Sequence, residues 1–167
     1  VGNWWGSARS AQAGGSVPLA WSRMGEALDH GARRPIGVFD SGLGGLTVLR
    51  ALIDLLPGES TLYFGDTGRF PYGPKRSEDV LKYAIEISDL LVDRGVKALV
   101  VACNSATSAA LPTLQARYQI PVTGVVEPGA RAAASVTRTG RVGVIGTVGT
   151  IQSGAYQDAA RDLGIEL

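Results

Sequence analysis

The residue best suited to chemistry is Cys103, which stands in Ala102-Cys103-Asn104-Ser105 directly after an apolar run at residues 98–102. It is the only cysteine of the 167 residues, which excludes an internal disulfide, and a single histidine leaves no ligand cluster for structural zinc. Cys103 is therefore either core filler or a reactive thiol. Free cysteine is among the most buried residue types, and a lone one at a strand end is commonly inert. At the start of a helix, however, the aligned peptide dipoles stabilise a thiolate, and such a thiol can exchange protons as general acid and base. Its neighbours Asn104 and Ser105 serve equally as ligand-binding groups and as helix caps.

Other strand ends carry polar or glycine-rich clusters. Residues 36–39 lead into Asp40-Ser41-Gly42-Leu43-Gly44-Gly45, which either makes a plain tight turn capped by Asp40 and Ser41 or brings a ligand against backbone N–H groups at a helix start. A dinucleotide fingerprint fits this hexapeptide badly, because its third glycine would fall at Thr47. Residues 63–75 form a long Gly- and Pro-containing loop in which Tyr72, beside Gly73, offers a hydroxyl or packs over the sheet edge. Glu127-Pro128-Gly129 follows the fourth apolar run. Gly146-Thr147-Val148-Gly149-Thr150-Ile151 follows the fifth, where Thr147 and Thr150 present hydroxyls to an anion or form an ordinary turn.

The elements that position these clusters alternate. Strands are expected at residues 36–39, 61–64, 98–102, 122–126 and 142–145, all buried on both faces, and helices at 46–56, 77–94, 105–117, 129–137 and 153–162. Val80, Tyr83, Ala84, Ile87, Leu90 and Leu91 recur at helical spacing, with Ser77 as the expected N-cap. This order predicts an α/β fold, an open parallel sheet with helices on both faces and right-handed crossovers. Ligands of such sheets bind beyond the carboxyl ends of the strands, where the clusters above lie.

Composition narrows the function further. The formal charge is +1 and the basic residues are scattered, so nothing argues for a nucleic-acid face; a small-molecule ligand is expected. No apolar stretch approaches the ~20 residues that cross a bilayer. Residues 1–33 are rich in Gly, Ala and Ser, with Trp4, Trp5 and Trp21 but no periodicity, and are expected to form a poorly ordered extension. They are readable as a transit peptide, or as sequence upstream of a start at Met24. His30 lies there and is not expected to be catalytic.

Four segments together, Asp40-Ser41-Gly42-x-Gly44-Gly45, Asp66…Pro71-Tyr72-Gly73, Ala102-Cys103-Asn104-Ser105 and Val144-Ile145-Gly146-Thr147-x-Gly149-Thr150-Ile151, resemble the glutamate racemases of the aspartate/glutamate racemase family from about Pro35 to Leu167. The resemblance implies two pseudosymmetric, flavodoxin-like α/β domains with a cleft between them, here residues 34–126 and the beginning of a second at 127–167. It implies cofactor-independent interconversion of L- and D-glutamate in the cytoplasm, without metal, supplying peptidoglycan synthesis and cell shape, by a protein that often dimerises. Cys103 matches one of two catalytic cysteines, and Asp40 a group that assists proton transfer. Asp40, Ser41, Tyr72, Gly73, Asn104 and Ser105 match substrate-binding positions, with Thr147 and Thr150 as further candidates. The family usually has Thr where Ser105 stands. Its second cysteine, followed by Thr and His, has no counterpart here, so the chain is expected to be a partial one that does not turn over alone. A related aspartate or hydantoin racemase, a nucleotide-binding domain and a non-catalytic ligand-binding fragment are the other readings.

Overall fold

The computed structural model describes residues 34–167. The extension expected at residues 1–33, with His30, lies outside them. Four strands, β1 (Ile36–Asp40), β2 (Thr61–Gly65), β3 (Ala98–Val101) and β4 (Val122–Gly124), form one parallel sheet in the order β2-β1-β3-β4. That is the first part of the flavodoxin-like order, in which the chain reverses direction across the sheet between β1 and β3. Six helices follow in chain order: α1 (Leu46–Leu55), α2 (Ser77–Asp93), α3 (Asn104–Arg117), α4 (Val126–Val136), α5 (Val148–Gln152) and α6 (Ala155–Asp162).

Alternation of side chains along the central strands gives the sheet two apolar faces. Phe39, Leu99 and Val101 pack with Val80, Ala84, Ile87 and Leu91 of α2 and Ala106, Ala110 and Leu114 of α3. Ile36, Val38, Ala98 and Val100 meet Leu52, Val48 and Leu49 of α1 on the other side. β1 and β3 are buried throughout, as their unbroken apolar runs require. β2 is half-buried along its whole length because it is an edge strand, which corrects the expectation of burial on both faces.

The expected strand at 142–145 is not formed. A strand needs a neighbour, and among the described residues this run finds a single bridge beside it, Arg141 with Glu166, while Ile145 is fully exposed. The fourth helix begins at Val126 rather than 129, since Pro128 falls in its first turn, where a missing N–H costs nothing. The last expected helix, 153–162, starts at Ala155 as α6, after Gly154, whose φ of 73° lies in the left-handed region, and the preceding Gly/Thr segment forms the short helix α5 at Val148–Gln152. Ser77 is the first helical residue of α2, and Arg76 occupies the cap. At the amino ends of the strands, Lys97 is buried and paired with Glu59, far from the clusters singled out by sequence.

Candidate functional site

Parallel register carries the ends of β1 and β3 to one place. Phe39 pairs with Val101, the Ala102 amide donates to the Phe39 carbonyl at 2.8 Å, and the next residues on the two strands are Asp40 and Cys103. This is the point where the strand order reverses. Cys103 leaves the strand in extended conformation (φ −118°, ψ 125°) as the cap residue of α3, and its carbonyl accepts the Thr107 amide at 2.8 Å. The thiol thus stands at the positive end of a 14-residue helix, with 7% of the residue exposed.

A hydrogen-bonded chain runs from the thiol into the first strand end. Cys103 Sγ donates to Ser41 Oγ at 3.5 Å, and the Ser41 hydroxyl makes a long contact, also 3.5 Å, with Asp40 Oδ1. Asp40 Oδ2 accepts the amides of Gly42 at 3.2 Å and Gly45 at 3.0 Å. The carboxylate therefore folds its own loop into an N–H-lined turn and presents its other oxygen towards Ser41. Tyr63 OH donates to the Gly42 carbonyl at 3.2 Å and holds the loop from β2. Burial first, and then the Asp40 carboxylate, raise the Tyr63 phenol above its ordinary pKa, so it remains a donor.

Tyr72 reaches the site from the long loop after β2. It is almost fully buried, packed in the cluster that contains Cys103, and its hydroxyl donates to Asp66 Oδ2. Arg69 Nε also binds Asp66 Oδ2, at 2.6 Å, and Arg69 stacks over the Tyr83 ring with its guanidinium carbon 4.3 Å from the centroid. Burial, reinforced by the Asp66 carboxylate, pushes the Tyr72 phenol far above its ordinary pKa. Its hydroxyl proton is thus engaged by Asp66, and its ring packs beside the site.

The remaining predicted residues meet on the opposite rim. Ser105 Oγ and Thr147 Oγ1 lie 3.3 Å apart, and Thr147 Oγ1 is 3.0 Å from Thr150 Oγ1. Thr147 caps α5 by accepting the Thr150 amide at 3.4 Å. A Cβ on Gly73 would meet Thr147 Cγ2 at 2.5 Å, so the loop after β2 approaches this rim only because that position is glycine. The cleft between them, of about 410 Å³ and open to solvent, is lined by Asp40, Cys103, Asn104, Ser105, Thr147 and Thr150, together with Thr47, Val48, Ile145 and Tyr156. Tyr72 and Gly73 line a much smaller neighbouring space with Ser105 and Thr147. Sequence reasoning missed Tyr156, whose hydroxyl donates to Asn104 Oδ1 at 2.7 Å, and also Tyr63.

Chemically, the cleft joins a thiol to hydroxyls, an amide and helix N–H groups. Among the described residues no three His, Cys, Asp or Glu side chains are grouped as metal ligands. Among the described residues the lining includes no Lys or Arg side chain, so an anionic ligand there would be held by neutral donors.

The Asp/Glu/Hydantoin racemase family model matches residues 36–167. The chain belongs to that family. Among curated racemases, the glutamate racemase of Geobacter metallireducens is 58% identical over 134 residues, which are 80% of this chain and 50% of that protein. That of Mycobacterium tuberculosis strain H37Rv is 58% identical over 78% of this chain and 49% of its own length. The chain therefore spans about half the length of the curated relatives it matches. Solved racemases share the fold: a glutamate racemase isoform from Bacillus anthracis superposes with a TM-score of 0.75 at 53% identity, over 78% of this chain and 49% of that one. The Francisella tularensis glutamate racemase, solved with D-glutamate, gives a TM-score of 0.73 at 40% identity, over 80% of this chain and 51% of the other.

Proposed function

We propose that this chain carries one half of the proton-transfer machinery of a cofactor-independent glutamate racemase, with Cys103 as its acid and base. The observation that carries the reading is the thiol's place: at a helix N-terminus, at the reversal point of the sheet, and hydrogen-bonded through Ser41 to Asp40. In this reading Cys103 thiolate takes the α-proton of one enantiomer. The electron pair left on the α-carbon is stabilised by the substrate ammonium and by donors around its carboxylates. Returning the proton from sulfur to the same face regenerates the starting enantiomer, so inversion requires a second group on the opposite face. The chain has no second cysteine, and in this reading that group is assigned to the half of the relatives' length that this chain does not span.

Asp40 and Ser41 are assigned to poising the thiol proton, and Asn104, Ser105, Thr147 and Thr150 to holding the substrate. Tyr72 and Gly73 form the wall on which the Thr147 rim rests. The domain division proposed is residues 34–126 for the first α/β unit and 127–167 for the start of the second. In its full-length context the activity would supply D-glutamate to peptidoglycan synthesis and so to cell shape, in the cytoplasm and in a dimer. Relatives solved with D-glutamate and, for Thermus thermophilus, with beta-chloro-D-alanine support an amino-acid ligand.

Because Cys103 is the sole cysteine, alkylation by iodoacetamide reports on this site alone. Glutamate at millimolar concentration is expected to slow the reaction several-fold, and aspartate or hydantoin much less. Equal protection by aspartate or hydantoin would move the substrate assignment within the family, and no protection by any of them would refute an amino-acid site.

A further inference from the structure

Asn104 is the first helical residue of α3 and lines the cleft beside Cys103. Its carboxamide has two ends, an oxygen that accepts and an NH2 that donates, and an unrestrained amide presents either to a ligand. Here the choice is made from across the cleft. Tyr156, on α6, donates its hydroxyl to Asn104 Oδ1 at 2.7 Å over a separation of 52 residues. The Tyr156 phenol is part-buried, beside Gly129 of α4, where a Cβ would lie 3.5 Å from its oxygen. Burial raises its pKa, which keeps the proton on the donating oxygen.

We propose that Tyr156 is a positioning residue that locks the Asn104 amide with its Nδ2 donors towards the ligand, and thereby favours a carboxylate next to Cys103. The ligand half of this inference rests on the glutamate reading; the orientation half does not. A site whose described lining holds no cationic side chain needs each neutral donor correctly turned, because an amide oxygen facing a carboxylate repels it. The bond also joins the residue after the thiol to the segment beyond β4, so the carboxylate donor is set only when α6 is seated.

The test uses the 167-residue chain, its Tyr156→Phe and Asn104→Ala variants, and the double variant. In nitrogen-15 spectra without ligand, Tyr156→Phe should shift the Asn104 side-chain amide resonances. D-glutamate affinity should fall about fivefold in Tyr156→Phe, the worth of one neutral hydrogen bond, and more in Asn104→Ala, which removes a bond to a charged group. The double variant should be no weaker than Asn104→Ala, because Tyr156 acts through that side chain. Additive losses would overturn the proposal by showing that Tyr156 acts independently of Asn104, and so would unmoved Asn104 resonances. If the resonances move but the unmodified chain binds no D-glutamate, the orienting bond stands and the glutamate reading fails.

Discussion

The described residues fall into two regions that bring different things to the cleft. Residues 36–124 hold the sheet and nearly all of the buried apolar side chains. Beyond Gly124, the buried apolar residues are Val126, Ala130 and Ala160, while Val136, Ile145 and Val148 are strongly exposed. The first region places Asp40, Ser41 and Cys103 at the ends of buried strands, so their separations are set by sheet register. The second supplies Thr147, Thr150 and Tyr156 from short helices held by side-chain contacts across the cleft. In the proposed reading, chemistry sits on the part fixed by sheet register, and ligand recognition is shared with the part that has fewer buried apolar contacts and is easier to displace.

The sharpest way to break this division is at the thiol. Cys103→Ala should lower α-proton exchange at least ~100-fold, the usual scale of a general base, with a melting temperature close to that of the unmodified chain. Retained exchange would remove Cys103 from the reaction. Next is Tyr72→Phe, which leaves the buried Asp66 with Arg69 alone and should cost about 1.5–3 kcal/mol in urea unfolding. A loss confined to ligand affinity, with stability intact, would instead make the Tyr72 hydroxyl a ligand group.

The junction between the regions is tested by Gly73→Ala. Its new methyl would press on Thr147, costing about 1–2 kcal/mol and weakening glutamate binding; Thr147→Ser, which removes the opposed methyl, should restore both. Failure of that rescue would show that the two loops do not meet as described.

The smallest effect lies away from the cleft, where Tyr118 OH donates to Asp89 at 2.5 Å and Arg117 binds the same carboxylate. Burial, then Asp89, pushes the Tyr118 phenol up from 10.0 to about 12. A raised folded pKa means its contribution is complete below pH 10 and is lost as pH rises towards 12. Tyr118→Phe should therefore show a shallower alkaline decline in melting temperature; an unchanged slope would contradict the pairing. Asp89 behaves oppositely. Held below its ordinary range by Arg117 first and Tyr118 second, it stabilises above pH 3.8 and ceases to do so as pH falls further.

What was legible in the sequence follows the same division. Continuous apolar runs named β1 and β3, and the rule that ligands lie beyond strand ends then picked out Asp40, Ser41, Cys103, Asn104 and Ser105, because each lies at or just past the carboxyl end of one of these strands. The run at 142–145 has the same composition and forms no strand, since composition shows strand propensity and says nothing of whether a partner lies alongside. Pro128 misled the placement of α4 because a proline reads as a break unless its position within the first turn is known. Tyr156 was invisible for another reason. On an amphipathic helix an aromatic residue reads as core, and only the tertiary contact shows its hydroxyl on Asn104. The hydroxyl of Tyr72 is the converse case, a polar group that looked available and is bound to Asp66.

The central claim is that Cys103 moves the α-proton of glutamate, and deuterium incorporation from heavy water tests it most directly. L- and D-glutamate are incubated separately with the 167-residue chain while optical rotation is followed. The account predicts that one enantiomer gains deuterium at the α-carbon without inversion, and that Cys103→Ala abolishes the gain. Incorporation that survives Cys103→Ala, or no incorporation into either enantiomer although D-glutamate binds, would contradict it, and full racemisation would contradict the assignment of a single proton-transferring face to this chain.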